Sequence, residues 1–383
     1  MYDMNTTEIT PKGPVSVDDW NEEISTRLLP DSIVLMTYLV VGVLGNSAVL
    51  YIYTIRLKGN IDDRFFIPAL AFVDLMTCTL GTSSSFTVNM LPVRLESGVA
   101  CKIIHFFPMT FSAASAYLLL LIAVNRYMKI CKPFNKQITV YWKKVTLILV
   151  ACSSVLLSWP CFLFYGSKEI IHDGTKITGT RCTSIRGPWS TIEPLIFKSA
   201  VFLVLAVIIF ALVTLYILIG RTIFKQRNFR RKLCVNQTPI SSQQVTESNA
   251  DFTILTTVSV TNTQPSSEST SPTTEVTVIA SNQRQIHRDS GQSPEVRLTL
   301  IFMLITFAFV ICYVPKVALM VYESRNEHFW IELDKAEMGG YRFLYTLIYV
   351  NSIVNPIIYG FFDRRFRREA RVTLRTCKRR CLQ

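Results

Sequence analysis

Long apolar blocks alternate with polar segments along the chain. Ser32–Ile55, Phe65–Pro92, Ile103–Val124, Val145–Tyr165, Ala200–Ile219, Leu298–Val314 with its continuation to Tyr322, and Phe343–Phe362 carry almost no charge. Each runs close to the ~20 residues a helix needs to cross a hydrocarbon core. The blocks are apolar on all sides, whereas a surface helix of a soluble protein keeps a polar face. Inside hydrocarbon the backbone must satisfy its own hydrogen bonds, so each block predicts a helix. The pattern predicts seven spans.

Composition agrees with this reading. Of 383 residues, 50% are hydrophobic and 17% charged, against roughly 25% charged in soluble domains. That much apolar residue excludes overall disorder, and ten cysteines in a chain this long do not make a disulfide-stapled module. The net charge of +13 fits either nucleic acid or an anionic membrane surface until its position is known. With the N-terminus outside, segments 56–64, 126–144, 221–297 and 362–383 hold 27 of the 40 basic and 10 of the 27 acidic residues. Basic residues beside spans stay cytoplasmic. This predicts a multi-pass plasma-membrane protein, N-terminus extracellular and C-terminus cytoplasmic, and it removes nucleic acid as a partner.

The division that follows is an outer tail (1–30), a seven-span region (31–362) and a basic amphipathic helix with a tail (363–383). The fold class is all-α membrane, a seven-helix bundle with an eighth helix on the inner leaflet. The tail is acidic and lacks a cleavable-signal pattern, so the first span serves as the export signal. Asn5-Thr6-Thr7 is an outward glycosylation sequon. In 236–281, 20 of 46 residues are Ser or Thr. Such a segment reads as disordered, within a third cytoplasmic loop of about 228–294, serving as a spacer or as a phosphorylated regulatory segment. The chain does not divide into the matching halves of an inverted-repeat transporter.

Polar residues inside spans are costly and point to function. Asp74 lies mid-way along the second span, Asn46 in the first, Ser115 in the third, and Asn351, Ser352 and Asn355 in the seventh. Oxygen ligands of this kind suit a hard cation such as Na⁺ or a water network, and equally an interhelical hydrogen-bond cluster. Asn125-Arg126-Tyr127 closes the third span. The sixth carries Phe309, Tyr313 and Pro315, whose ring removes a helix bond and bends the helix. The seventh ends in Asn355-Pro356-Ile357-Ile358-Tyr359.

Seven spans bearing these motifs in this order resemble a rhodopsin-like (class A) G-protein-coupled receptor, of a peptide-receptor kind. The resemblance covers nearly the whole chain and rests on Asn46, Asp74, Cys101, Arg126, Pro315, Asn355, Pro356 and Tyr359. It implies a ligand site in the outer half of the bundle. It also implies an outward swing of the sixth helix that admits a heterotrimeric G protein, with arrestin and receptor kinases as further partners. Some positions depart from the family. Asn125 stands where an acid is usual, so Glu295 becomes a candidate partner for Arg126. Tyr313 replaces a tryptophan, and the fifth span lacks a proline after Pro194. Tyr216 matches an inner tyrosine that helps hold the active state.

Cys101 and Cys182 are the two cysteines on the outer, oxidising side, and pairing them would tie the third span to the second outer loop. Cys377 and Cys381 follow the basic amphipathic stretch and read as palmitoylation sites or as free thiols. The scattered histidines suggest no metal site, and the spans offer no catalytic nucleophile with a base. A retinal lysine is excluded by Tyr349 at its position, and an ammonium-binding aspartate by Pro108. Lys316 follows the sixth-span proline. With Lys102, His105, Lys198 and Arg342 near the helix tops it would meet a ligand carboxylate, or else snorkel or pair with a nearby acid. Lys168–His172 and Thr175–Thr183 flank Asp173-Gly174, a two-residue hairpin signal, and a hairpin lid suits a neuropeptide-like ligand. The alternatives are a receptor for a small acidic or lipid ligand and, distantly, a membrane transporter.

Overall fold

The structure is a computed structural model describing residues 16–57, 64–172, 174–185, 193–235, 294–323 and 335–381. Asn5 and the loop 236–293 lie outside the described residues, as do the side chains of Glu295, Cys377 and Cys381. The chain forms two units. One, within 1–225 and 293–383, carries the bundle. Of the other, 226–292, the described part is the end of a helix at Val235.

Among the described residues, seven helices are long and apolar enough to cross a membrane. The first span is α2 (Leu29–Tyr51), extended by a wide turn to Arg56. The second is α3 (Phe66–Met76) and α4 (Thr82–Met90), joined by a wide turn at Thr77–Gly81. The third is α5 (Gly98–Cys131), and the fourth is α6 (Val140–Ser158) with the short α7 (Cys161–Phe164). The fifth, sixth and seventh are α8 (Glu193–Val235), α9 (Pro294–Glu323) and α10 (Lys335–Phe362). Ile67, Leu119, Leu212, Ile305 and Phe309 meet in one core. Large apolar side chains on α6 and α8, such as Leu156 and Phe210, face outward, as lipid contact requires.

The amphipathic stretch forms α11 (Arg364–Cys381). Asp363 starts it: its carboxylate accepts from the N–H groups of Arg365 (2.8 Å) and Phe366 (3.3 Å). The other carboxylate oxygen accepts from the Tyr53 hydroxyl at 2.7 Å and pairs with Arg64 at 3.4 Å. Phe366 stacks on Tyr53, so α11 is tied to the first span.

At the opposite end, β1 (Tyr165–Ile171) and β2 (Thr178–Ser184) form an antiparallel hairpin. The tight two-residue turn needs correction. Strand pairing ends at Ile171 and Thr178, leaving a six-residue loop. The His172 carbonyl accepts from the Lys176 N–H at 2.8 Å, and the left-handed position falls on Lys176 (φ 55°). The His172 ring accepts from the Thr175 N–H, so side-chain capping sets the loop length. Asp173 lies outside the described residues.

A further element has no counterpart in the apolar pattern. Residues Val17–Arg27 form α1, opened by a capping box between Ser16 and Asp19. Asn21 donates to the Met90 carbonyl and accepts from the Val93 N–H. Trp20 packs edge-on against His172, and Asp18 pairs with Arg94 at 2.5 Å. The helix therefore docks on the hairpin and the loop after α4.

Close helix approach depends on Gly42. A Cβ there would lie 2.2 Å from Cys78 Sγ and 2.7 Å from its Cβ. Gly42→Ala is expected to cost about 1–3 kcal/mol through overpacking. Thermal unfolding of solubilised protein should show a lower Tm that Cys78→Gly recovers in part; an unchanged Tm would contradict the close contact.

Candidate functional site

Asp74 is fully buried. It accepts hydrogen bonds from Ser352 Oγ at 2.8 Å and Asn355 Nδ2 at 2.6 Å. Asn46 Nδ2 donates to the Ser352 carbonyl and to its own helix at Gly42, both at 3.0 Å. Asn46, Asp74, Ser352 and Asn355 thus join the first, second and seventh spans. The node keeps unmatched oxygens: the side-chain oxygens of Asn46 and Asn355 are buried without a hydrogen-bond partner among the described residues, as are Ser115 Oγ on the third span and the Asn351 oxygen on the seventh. A buried oxygen left unmatched costs about 1–3 kcal/mol, so the node calls for water or a cation. A carboxylate with neutral oxygens is a donor set for a small hard cation, and Na⁺ fits it.

The second cluster surrounds Arg126, which is 2% exposed at the far end of α5. Its guanidinium lies 5.1 Å from the centre of the Phe302 ring on α9. Asn125 beside it is also buried, and Tyr127 faces Lys132. The Tyr216 hydroxyl faces Thr306 on α9 and lies in the field of Arg126. Tyr359 packs edge-on against Tyr53, and its buried hydroxyl has no partner among the described residues. Pro356, inside α10, lies against Gly45 of the first span. Sequence reading missed Phe302: an aromatic within an apolar span carries no mark of a cation contact.

Between these clusters, the rings of Phe309 and Tyr313 pack at a tilt, centroids 4.3 Å apart, one turn apart on α9 below Pro315. The Tyr313 hydroxyl is directed toward Ser112 on α5, the kind of neighbour a buried phenol needs.

The third cluster lies at the hairpin end. Cys101 and Cys182 form a disulfide with Cα atoms 5.4 Å apart, fixing β2 to α5. His105 stacks on Tyr165 at 3.9 Å, and its Nδ1 is 3.1 Å from the Cys101 carbonyl. Cys101, His105 and Cys182 cluster within metal-ligand range, but sulfurs joined to each other are not thiolate ligands. Lys316 lies over the Tyr345 ring at 4.6 Å, and both Lys316 and Lys198 are within electrostatic range of His105. Lys102 and Pro108 lie on α5 and are half-buried, as is Arg342 on α10. Tyr349 is buried. Its hydroxyl donates to the Gly81 carbonyl at 2.8 Å and meets Ser85, so it joins the seventh span to the second.

A second carboxylate node went unread in the sequence because Asp31 sits at a span edge, where an acid draws no notice. Asp31 is 8% exposed, accepts from Asn89 Nδ2 at 2.7 Å and meets Thr346 Oγ1 at 3.4 Å. It joins the same three spans one layer nearer the hairpin.

The chain matches the sequence profile of the 7 transmembrane receptor (rhodopsin family) over residues 45–359. It is 20% identical to the cholecystokinin receptor of Xenopus laevis, over 99% of this chain and 83% of that one. It is 23% identical to a bombesin receptor of Bombina orientalis, over 94% and 80%. To a tachykinin-like peptides receptor of Drosophila melanogaster it is 22% identical, over 85% and 55%. A profile match across most of the chain, on a bundle of seven membrane-length helices, places it: the chain belongs to the rhodopsin family of seven-transmembrane receptors and is a multi-pass G-protein-coupled receptor.

Proposed function

We propose that the receptor takes a peptide at the hairpin end, outside the plasma membrane, and activates a heterotrimeric G protein at the cytoplasmic Arg126 end. The observation that carries the ligand side is Lys316. Its ammonium sits beside Tyr345 within electrostatic range of His105, with Lys198 in range of the same ring. Positive side chains concentrated here favour a ligand carboxylate, from a peptide C-terminus or an acidic residue. The hairpin and docked α1 enlarge the recognition surface, which favours a peptide over a small acidic or lipid molecule. The three relatives bear peptide-receptor names.

On the cytoplasmic side, Arg126 against Phe302 couples α5 to α9. Pro315 makes α9 a lever with two positions. Moving its inner end takes Phe302 off Arg126 and frees the guanidinium for the G protein. Glu295, at the start of the same helix, is a second restraint on Arg126. Arrestin and receptor kinases are partners for the Ser/Thr-rich loop, and Cys377 and Cys381 are lipidation sites beside the inner leaflet. Asn5 carries the glycan.

Two outcomes follow. Lys316→Met should weaken the response to a carboxylate-bearing peptide agonist about 10- to 100-fold, the worth of one charged hydrogen bond, at equal surface expression. A full response would remove the carboxylate assignment. At the Asp74 node, Na⁺ replacing choline at fixed ionic strength should raise the Tm of purified receptor by mass action. Asp74→Asn should abolish that dependence, and a wild-type Tm indifferent to Na⁺ would leave the node a hydrogen-bond cluster only.

A further inference from the structure

The Asp31 carboxylate is held by neutral groups. Its hydrogen-bond partners among the described residues are Asn89 Nδ2 at 2.7 Å and Thr346 Oγ1 at 3.4 Å. A buried charge ordinarily has a partner of opposite sign or a dense set of hydrogen bonds. Two bonds, one of them long, fall short of that.

The donors around Asp31 are spent. Asn89 Nδ2 serves Asp31 and, at 3.4 Å, Ser32 Oγ. The Ser32 hydroxyl donates to the Leu28 carbonyl at 3.0 Å. The Thr346 hydroxyl is shared between Asp31 and the Phe343 carbonyl at 3.1 Å. Acceptors are what remain. Asn89 is 1% exposed, and its Oδ1, on the amide that meets the carboxylate, has no hydrogen-bond partner among the described residues. A carboxylate, an amide oxygen and two hydroxyl oxygens gathered in one place match a group that brings positive charge and several donors. A primary ammonium has three N–H donors and no acceptor.

The node lies beside the basic cluster. Thr346 follows Tyr345, whose ring lies under Lys316. Consecutive residues of α10 therefore serve the cationic and the anionic group. Tyr349, one turn further on, lies in the field of both Asp31 and Tyr345. We propose that Asp31, Asn89, Ser32 and Thr346 form a subsite for a primary ammonium of the ligand, from a peptide N-terminus or a lysine side chain. The inference rests on the peptide reading and adds a second pole to it: the agonist turns a carboxylate toward Lys316 and an ammonium toward Asp31.

Affinity selection on the purified full chain, read by mass spectrometry, tests this with pools of hexapeptides made of uncharged residues. Four pools combine a free or acetylated N-terminus with a free or amidated C-terminus. A fifth is acetylated, carries one lysine and has a free C-terminus, and a sixth has a trimethylated N-terminus, which keeps the charge and loses the donors. Wild-type protein should enrich an amine-bearing pool about ten-fold over its acetylated, lysine-free counterpart, the lower range for a hydrogen bond to a charged group. Enrichment of the N-terminal or the lysine pool identifies the source of the amine. Asp31→Asn keeps the shape and removes the charge. It should erase the amine preference and retain the preference for a free C-terminus, while Lys316→Met should do the reverse. Glu96→Gln, at an exposed acid on the hairpin side, should leave both preferences in place. Equal wild-type recovery of amine and acetylated pools, or recovery of none, would overturn the proposal. So would an amine preference that survives Asp31→Asn, or wild-type enrichment of the trimethylated pool equal to that of the free amine, a comparison that needs no variant. An amine preference without a carboxylate preference would support this subsite and remove the Lys316 assignment.

Discussion

A carboxylate buried in the middle of a membrane-spanning bundle constrains everything around it. Asp74 lies in the middle of the bundle, and an ionisable group there is tolerated only with partners. Ser352 and Asn355 come from the seventh span, and Asn46 completes the tie from the first. Three helices are thereby set in register by polar contacts rather than by apolar contact alone, which in lipid gives little discrimination. The Asp31 node repeats the device one layer higher, on the same three spans.

Those ties divide the bundle by rigidity. The first, second and seventh spans are pinned at two levels, at Gly42 against Cys78, and at the Asp363 joint with α11. The sixth span is joined differently. Among the described residues, its contacts to the third include a cation over a ring at Phe302 and the approach of Tyr313 to Ser112, with a proline above them. Contacts of this kind are worth about 0.5–2 kcal/mol, small enough for ligand binding to overcome. This contrast supports the proposal that α9 is the moving element, although it also packs closely on the seventh span.

How much was legible in the sequence depended on the physics involved. The seven spans were, because hydrocarbon demands about 20 apolar residues whatever their partners. Asp74 and Arg126 were, because charge in a span is conspicuous. Phe302 was not, since nothing distinguishes it from its apolar neighbours until the fold sets Arg126 against it. Helix α1 was missed because its few apolar residues, Trp20 among them, find partners only on the folded hairpin. The hairpin loop came out longer because His172 capping, not the Asp-Gly pair, closes it.

The proposed G-protein switch, restrained by Arg126 against Phe302, can be tested without knowing the ligand. Purified receptor in lipid nanodiscs would be mixed with a panel of heterotrimeric G proteins and ligand-independent nucleotide exchange recorded. Phe302→Leu keeps an apolar side chain while removing the ring face. Exchange should rise about five-fold, the equivalent of the ~1 kcal/mol lost with the cation–π contact. Exchange equal to wild type, at equal amounts of folded receptor, would contradict it.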